Sequence, residues 1–295
     1  MSAAEAKSRS GVAVAIALVV GLIIGAAGMF AVTQTGVMGK LGASGASGQA
    51  SAADLAGKTT VSEDELDSVL GTYTLDDVTT PVTVREAIEE STSLEAARNA
   101  DGSYELPSAD AVLAIARNRT LEAEAARLGI TATAEDTAAY ARDTLGTDNY
   151  SVIAAGYNMS AEQAEALMTR SATLRLLRDK VTKTQVPAEP EAPANPKKGE
   201  EDVPMATYAA YVLDVVGDEW DQSANSWASE DGPYHNALRD YTISNEVATY
   251  SAARAAYDEA LVQVAAAEQQ LSGEWTAYAN DLLSNITVEL GTLVS

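Results

Sequence analysis

A long apolar segment near the start of the chain constrains the arrangement of everything that follows it. Gly11–Val32 is almost wholly apolar and carries no charge. As a helix with a rise of about 1.5 Å per residue, this segment spans roughly 33 Å, enough to cross the ~30 Å hydrocarbon core of a bilayer. Lys7 and Arg9 precede it, which favours a cytoplasmic N-terminus. The pattern predicts a single-pass signal anchor within residues 1–40, with the bulk of the chain extracytoplasmic at the cell membrane.

A cleaved signal peptide is the alternative interpretation of the same segment. The small residues Ala26, Ala27 and Gly28 would suit a signal peptidase, so the sequence leaves open whether the helix is retained. The apolar run is longer than the roughly 7–15 residues usual for a signal peptide, which favours the anchor. A lipoprotein is excluded because its lipid would need a cysteine after the apolar segment, and the chain has no cysteine.

Two segments of biased composition divide the rest of the chain. Residues 41–57 are rich in Gly, Ser and Ala and predict a flexible tether. Residues 185–204 hold five of the eight prolines and predict a stiff, solvated linker, or alternatively a ligand for a proline-recognising domain. The segments leave two modules, 58–184 and 205–295. Four of the prolines recur at every third position, the repeat of a polyproline II helix: Pro187, Pro190, Pro193 and Pro196.

Charge and composition exclude several classes of function. The chain has no cysteine, one histidine and a net charge of −24. A cysteine nucleophile and a cysteine-containing zinc site are therefore excluded, and a strongly acidic chain is a poor ligand for nucleic acid. Any Ser-His-Asp triad would have to use His235, which lies in a turn after Gly232-Pro233. We expect no catalytic residues, no metal site and no cofactor.

The first module, 58–184, reads as mainly helical. Helix starts of the capping-box type occur at Ser62, Thr83 and Ser160, and a variant with Asp at the fourth position occurs at Thr133. The first of these predicts a helix towards Gly71, and the third a helix to about Lys183. A further helix is predicted from Ser108 or Asp110 to Leu128, ended by Gly129; the strand candidates are only Lys58–Val61 and Ser103–Leu106.

The second module, 205–295, combines an apolar start with a long helical pattern. Residues 205–216 predict a helix or a strand, and the pattern is strongly helical from about Thr242. Apolar residues recur there at intervals of seven, which predicts helix packing or a groove for a partner helix, including a second copy of the chain. The seam consists of Tyr250, Tyr257, Val264, Leu271 and Tyr278, with Leu261, Trp275 and Leu282 in the companion row.

Part of the first module resembles a family of chaperones. Residues 109–130, ending in Arg-Leu-Gly-Ile, run directly into the helix start of residues 131–140. This arrangement is similar to the chaperone domain of the SurA, PrsA and trigger-factor group. Residues 60–67 and 157–167 resemble helix starts of the same group, so the resemblance covers roughly 58–184. The resemblance implies a SurA-N-like helical domain that binds unfolded or translocated polypeptides.

The chain departs from that family in one important respect. Foldases of this group usually carry a parvulin prolyl isomerase domain after these helices, with paired histidines. Here the helices are followed by the Pro-rich segment 185–204, and the chain has one histidine. The resemblance therefore implies a chaperone without isomerase activity, in which a C-terminal helix packs back on the N-terminal helices.

The peptide-binding surface of such a chaperone would need adaptable apolar side chains. Methionine and aromatic residues supply them, and the predicted contact residues are Tyr140, Tyr150, Tyr157, Met159 and Met168. The same residues would serve equally well in an ordinary core. The sequence thus predicts a membrane-anchored holdase, with a structural or adaptor protein of the cell surface as the alternative and a carboxylate hydrolase as the least favoured reading.

Overall fold

The computed structural model describes residues 55–291, so the predicted anchor lies outside the described residues, as does all of the tether before Leu55. Within the described part, no helix is both long and apolar enough to cross a membrane. The described chain forms two compact units. The first comprises residues 55–182 together with 275–291, and the second comprises residues 183–274. The first unit is therefore discontinuous in sequence, and each unit is described separately.

The described part of the chain is mainly helical, as predicted. The strands are β1 (Thr60–Val61), β2 (Val69–Leu75), β3 (Val78–Thr83), β4 (Tyr104–Glu105), β5 (Trp220–Asp221), β6 (Ser226–Trp227) and β7 (Thr287–Leu290). The α-helices are α1 (Val84–Glu89), α2 (Leu94–Ala97), α3 (Ala109–Arg127), α4 (Ala134–Leu145), α5 (Tyr150–Tyr157), α6 (Ala161–Val181), α7 (Ala206–Val216), α8 (Pro233–Leu238) and α9 (Tyr250–Leu283).

A three-stranded antiparallel sheet, ordered β3-β2-β7, joins the two ends of the first unit. β2 and β3 form a hairpin whose turn residues, Asp76 and Asp77, both have positive φ. This is the geometry that a tight hairpin turn requires. Gly71 is essential where β2 meets β7, because a Cβ there would lie 2.8 Å from the Glu289 carbonyl oxygen and 3.0 Å from Val112 Cγ1.

The predicted strand candidates are confirmed, but they are not the main sheet. Lys58–Val61 and Ser103–Leu106 contain β1 and β4, which pair with each other. The helix predicted from Ser62 to Gly71 is wrong. Glu65 does accept hydrogen bonds from the Ser62 N–H and hydroxyl, but only one short 3₁₀ turn follows. The chain then enters β2, because its Val, Thr and Tyr residues pair with strands on both sides.

The other helix starts of the first unit are confirmed. The hydroxyls of Thr83, Thr133 and Ser160 each accept a hydrogen bond from the backbone N–H three residues later. α3 occupies the predicted span, and Gly129 follows it with φ of 71°. Each cap satisfies an N–H that the helix cannot bond internally, so these starts follow from local chemistry.

The core of the first unit lies between the sheet and the helices. Val82 of the hairpin, Val84 of α1, and Val112 and Ile115 of α3 are among its fully buried side chains. Val288 of β7 packs against the same cluster. A smaller core forms between α3, α6 and the end of α9 and includes Leu121, Leu174, Leu177, Trp275 and Ala279. The residues after 274 therefore complete two cores of the first unit.

The second unit packs α7 against the start of α9. Tyr208, Val212, Trp220 and Leu238 lie in a core with alanines 252, 253 and 256 of α9. The predicted helix at 205–216 is confirmed as α7.

Two features differ from the organisation expected from sequence. Residues 275–291 belong to the first compact unit, whereas the sequence patterns group them with 205–274. The Pro-rich segment, predicted to be a stiff, solvated linker, is largely exposed, but it is attached to the second unit and its Pro193 is buried. The tyrosines of α7 supply the physical reason, since their hydroxyls reach the backbone of this segment.

Candidate functional site

The structure brings all five predicted contact residues together. Tyr140, Tyr150, Tyr157 and Met159 are partly buried around the fully buried Met168, at the junction of α4, α5 and α6. Alanines 141, 154 and 164 and Ile153 complete the cluster. In this arrangement Met168 presents no surface to a ligand. Burial raises the pKa of the Tyr157 phenol, which fits a ring held in a core.

An open groove lies beside this cluster in the first unit. Its volume is about 390 Å³. Leu121 and Leu174 of α3 and α6 form its floor with Trp275 of α9, and all three side chains are at least nine-tenths buried. We call it the Trp275 groove. It is lined by Leu121, Tyr140, Asp143, Thr144, Ser171, Leu174, Arg175, Arg178 and Trp275.

Charges of both signs surround the apolar floor. The Arg175 guanidinium lies 3.0 Å from the Asp143 carboxylate and 5.8 Å from the centre of the Tyr140 ring. Arg178 donates to its neighbour Asp179 through Nε and Nη2, at 2.9 and 2.7 Å. These side chains are partly exposed, so each ion pair contributes little to stability. They remain available to a polar backbone laid along the groove.

One polar atom in the groove wall has no partner among the described residues. The Ser171 side chain is 2% exposed, and its hydroxyl oxygen is buried without a hydrogen bond. A serine in the middle of a helix usually bonds the carbonyl four residues earlier or points to water. An unsatisfied buried hydroxyl costs free energy, and this oxygen is too deeply buried for a ligand in the groove to reach unless the wall moves.

The position of Trp275 is fixed from below. Its indole stacks on the Tyr278 ring, with centroids 6.2 Å apart and planes 18° from parallel. The Tyr278 hydroxyl donates to Glu124, a carboxylate that is 7% exposed and also paired with Arg127 at 2.6 Å. Burial, followed by the hydrogen bond to Glu124, raises the pKa of Tyr278 to about 12. This network holds the end of α9 against α3 and so maintains the groove floor.

Among the groove residues, the sequence predicted Tyr140 as a contact residue but did not predict that Trp275 forms part of the groove floor. The available signal was its place in the heptad companion row, which marks Trp275 as a packing residue. The sequence could not show that it packs on α3 and α6, because these helices end 148 and 94 residues before Trp275. Leu121 and Leu174 are ordinary apolar helix positions and carry no functional signal.

His235, the only histidine, is part of a packing cluster in the second unit. Its ring meets Trp227 edge-on, with centroids 5.2 Å apart, and its backbone N–H donates to Glu219 at 3.2 Å. Glu219 also accepts the N–H of Tyr234, so its carboxylate occupies the start of α8. Within residues 55–291, no three His, Asp or Glu side chains converge closely enough to hold a metal ion.

Comparisons of the chain with known protein families, with curated proteins and with solved structures find no match.

Proposed function

We propose that this protein is a membrane-anchored extracytoplasmic chaperone that holds unfolded or translocated polypeptides and catalyses no reaction on them. The Trp275 groove carries the proposal. It combines an apolar floor, open access and a rim of both charge signs, which suit a segment of variable sequence. The predicted anchor would keep this unit close to the outer face of the membrane.

The groove offers contacts that do not depend on the sequence of the bound segment. Trp275 and Tyr140 supply aromatic surface to a bound segment, and aromatic contacts tolerate many side chains. The net charge of −24 would keep a complex with an unfolded chain soluble. Together these properties favour holding over catalysis, which would need convergent acid, base or nucleophilic groups.

The adaptor alternative is less favoured because much of the heptad seam is already in use. Tyr250 packs in the core of the second unit, and Trp275, Tyr278 and Leu282 pack in the first. A seam occupied at both ends leaves only its middle turns for a partner helix.

Blocking the groove tests the proposal directly. Thr144 lies on the groove wall and is partly exposed, so Thr144→Trp should fill the space without disturbing a core. The full-length wild-type chain in bilayer nanodiscs should suppress light scattering from a chemically unfolded client, and Thr144→Trp should lose most of that protection. The loss is expected because the introduced indole would cover Leu174 and Trp275 in the apolar floor of the groove.

Ser151→Trp is the matched control, because Ser151 is exposed on α5 and does not line the groove. It should protect the client as the wild type does. Absence of protection by the wild type at several-fold molar excess would refute the chaperone function. Full protection by Thr144→Trp would instead show that clients bind elsewhere.

A further inference from the structure

The Pro-rich segment is held in the second unit through its backbone. The Tyr211 hydroxyl of α7 donates to the Glu191 carbonyl oxygen at 2.7 Å, and the Tyr208 hydroxyl donates to the Ala194 carbonyl oxygen at 3.1 Å. Both acceptors are main-chain atoms. The contacts therefore depend on the path of the segment and on few of its side chains.

A third tyrosine and a buried proline complete the site. The Tyr250 hydroxyl contacts Asn195 Oδ1 at 3.2 Å, and its ring lies edge-on to the Tyr208 ring, 5.7 Å away. Pro193, one residue before the Tyr208 contact, is buried. We call Tyr208, Tyr211 and Tyr250 the tyrosine groove, and residues 184–195 the strap.

The other end of the strap is also fixed. The N–H and hydroxyl of Thr184 donate to the Glu274 carboxylate at 3.1 and 2.8 Å. From Thr184 to Asn195 a polyproline II chain covers about 34 Å at about 3.1 Å per residue. From Glu274 back to Tyr250, α9 covers about 36 Å at about 1.5 Å per residue. The two lengths are similar, so an extended strap is long enough to connect Glu274 with Tyr250.

These contacts share the chemistry of proline-rich peptide recognition. Grooves that bind polyproline II segments present aromatic rings to the prolines and donors to the exposed carbonyls, which have no intrachain partner in that conformation. The tyrosine groove supplies hydroxyl donors to two carbonyls of the strap and holds a pair of aromatic rings. Proline recurs every third residue along the strap. Proline also lowers the entropy lost on binding, because its φ is already fixed.

We propose that the tyrosine groove is a binding site for proline-rich extended segments and that the chain's own strap occupies it as an intramolecular competitor. A segment from another polypeptide would bind when the strap leaves. All the residues involved lie in the second unit, so this inference stands independently of the Trp275 groove and of the proposed chaperone function.

Releasing the strap tests this inference. The probe is a fluorescein-labelled peptide with the sequence of residues 185–196, and its binding to the full-length chain is followed by fluorescence anisotropy. The triple variant P187G, P190G, P193G should bind the peptide at least about tenfold more tightly than the wild type, because the competing strap is weakened. Adding Tyr211→Phe to the triple variant should reduce that affinity by roughly two- to tenfold, since one hydrogen bond is lost.

The control probe is the same peptide with its prolines replaced by alanine, which should bind weakly to every variant. Equal affinity of wild type and strap variant for the proline peptide would overturn the inference, as would equal binding of the two peptides. If circular dichroism shows that the triple variant does not fold, Pro193→Ala replaces it. That single change should tighten peptide binding by several-fold, and no change in affinity would again refute the site.

Discussion

At the scale of single residues, Met168 shows how the first unit fills an irregular space. It is completely buried among alanines 141, 154 and 164, where three helices meet and small residues leave a gap between them. An unbranched thioether adapts to such a gap better than a branched side chain does. Its flexibility therefore serves packing in this structure, and the client contacts assigned to Met168 from sequence would require the helices to separate.

Met168→Ala should lower the free energy of unfolding by about 2–5 kcal/mol, because it removes buried apolar surface and leaves a cavity. Val152→Ala on the neighbouring helix α5, where the side chain is 59% exposed, should change the free energy of unfolding by less than about 0.5 kcal/mol. Urea denaturation followed by circular dichroism measures both. Equal effects of the two changes would show that Met168 lies on a surface in solution.

At the scale of elements, Glu274 closes the second unit on itself. Its carboxylate accepts hydrogen bonds from the Lys183 N–H at 2.6 Å and from the N–H and hydroxyl of Thr184. Lys183 and Glu274 are the first and last residues of the second unit. The hydrogen bonds, led by that from Lys183, lower the pKa of Glu274 from 4.5 to about 2.

This carboxylate should make stability depend on pH. Its pKa is lower in the folded state, so its stabilising contribution is complete above the unfolded value of 4.5 and is lost as the pH falls to about 2. Glu274→Gln should lower the thermal midpoint at neutral pH, and the difference from wild type should shrink across that acidic window. Thermal melts at several pH values measure it. A difference that does not vary with pH would show that the charge is unimportant.

The sequence predicts the helices of the first unit better than its sheet. The caps at Thr83, Thr133 and Ser160 are local, since each needs only a side chain and an N–H three residues away. β2 depends instead on β7, more than two hundred residues later, and on a hairpin turn of Asp76 and Asp77. Two aspartates are a weaker turn signal than Asn-Gly, and the Ser62 capping box points towards a helix.

The candidate site is predictable only in part, for the same reason. The residues around Met168 come from helices close together in sequence, so their grouping follows from the helix pattern. The Trp275 groove needs α9 to return to α3 and α6, and the tyrosine groove needs the Pro-rich segment to fold back on α7. Both arrangements bring together segments that are distant in sequence, so no local sequence pattern predicts them.

At the scale of the whole molecule, the first unit is assembled from two separate parts of the chain. Residues 275–291 supply β7 and the buried Trp275, Ala279 and Leu283. The 92 residues of the second unit lie between these parts. Removal of residues 275–291 should therefore destabilise the first unit, even though residues 55–182 are still present.

Truncation after Glu274 should destabilise the first unit by more than about 5 kcal/mol, because loss of a buried tryptophan alone costs about 3–5 kcal/mol. Limited proteolysis should then cleave within residues 109–181, which should resist the protease in the intact chain. Truncation after Gly291 removes neither β7 nor Trp275 and should preserve that protection. Comparable resistance of the two truncated chains would show that residues 275–291 do not stabilise the first unit.

The discontinuity of the first unit also sets an order of events during synthesis. A ribosome reaches β7 about a hundred residues after it completes α6, a delay on the order of 5–20 s at about 5–20 residues per second. Throughout that interval β2 has an open edge and the floor of the Trp275 groove has no tryptophan. The residues of the second unit are contiguous, so its synthesis is complete before that of the first unit. Until β7 emerges, the nascent chain contains β2 and β3 without the third strand of their sheet.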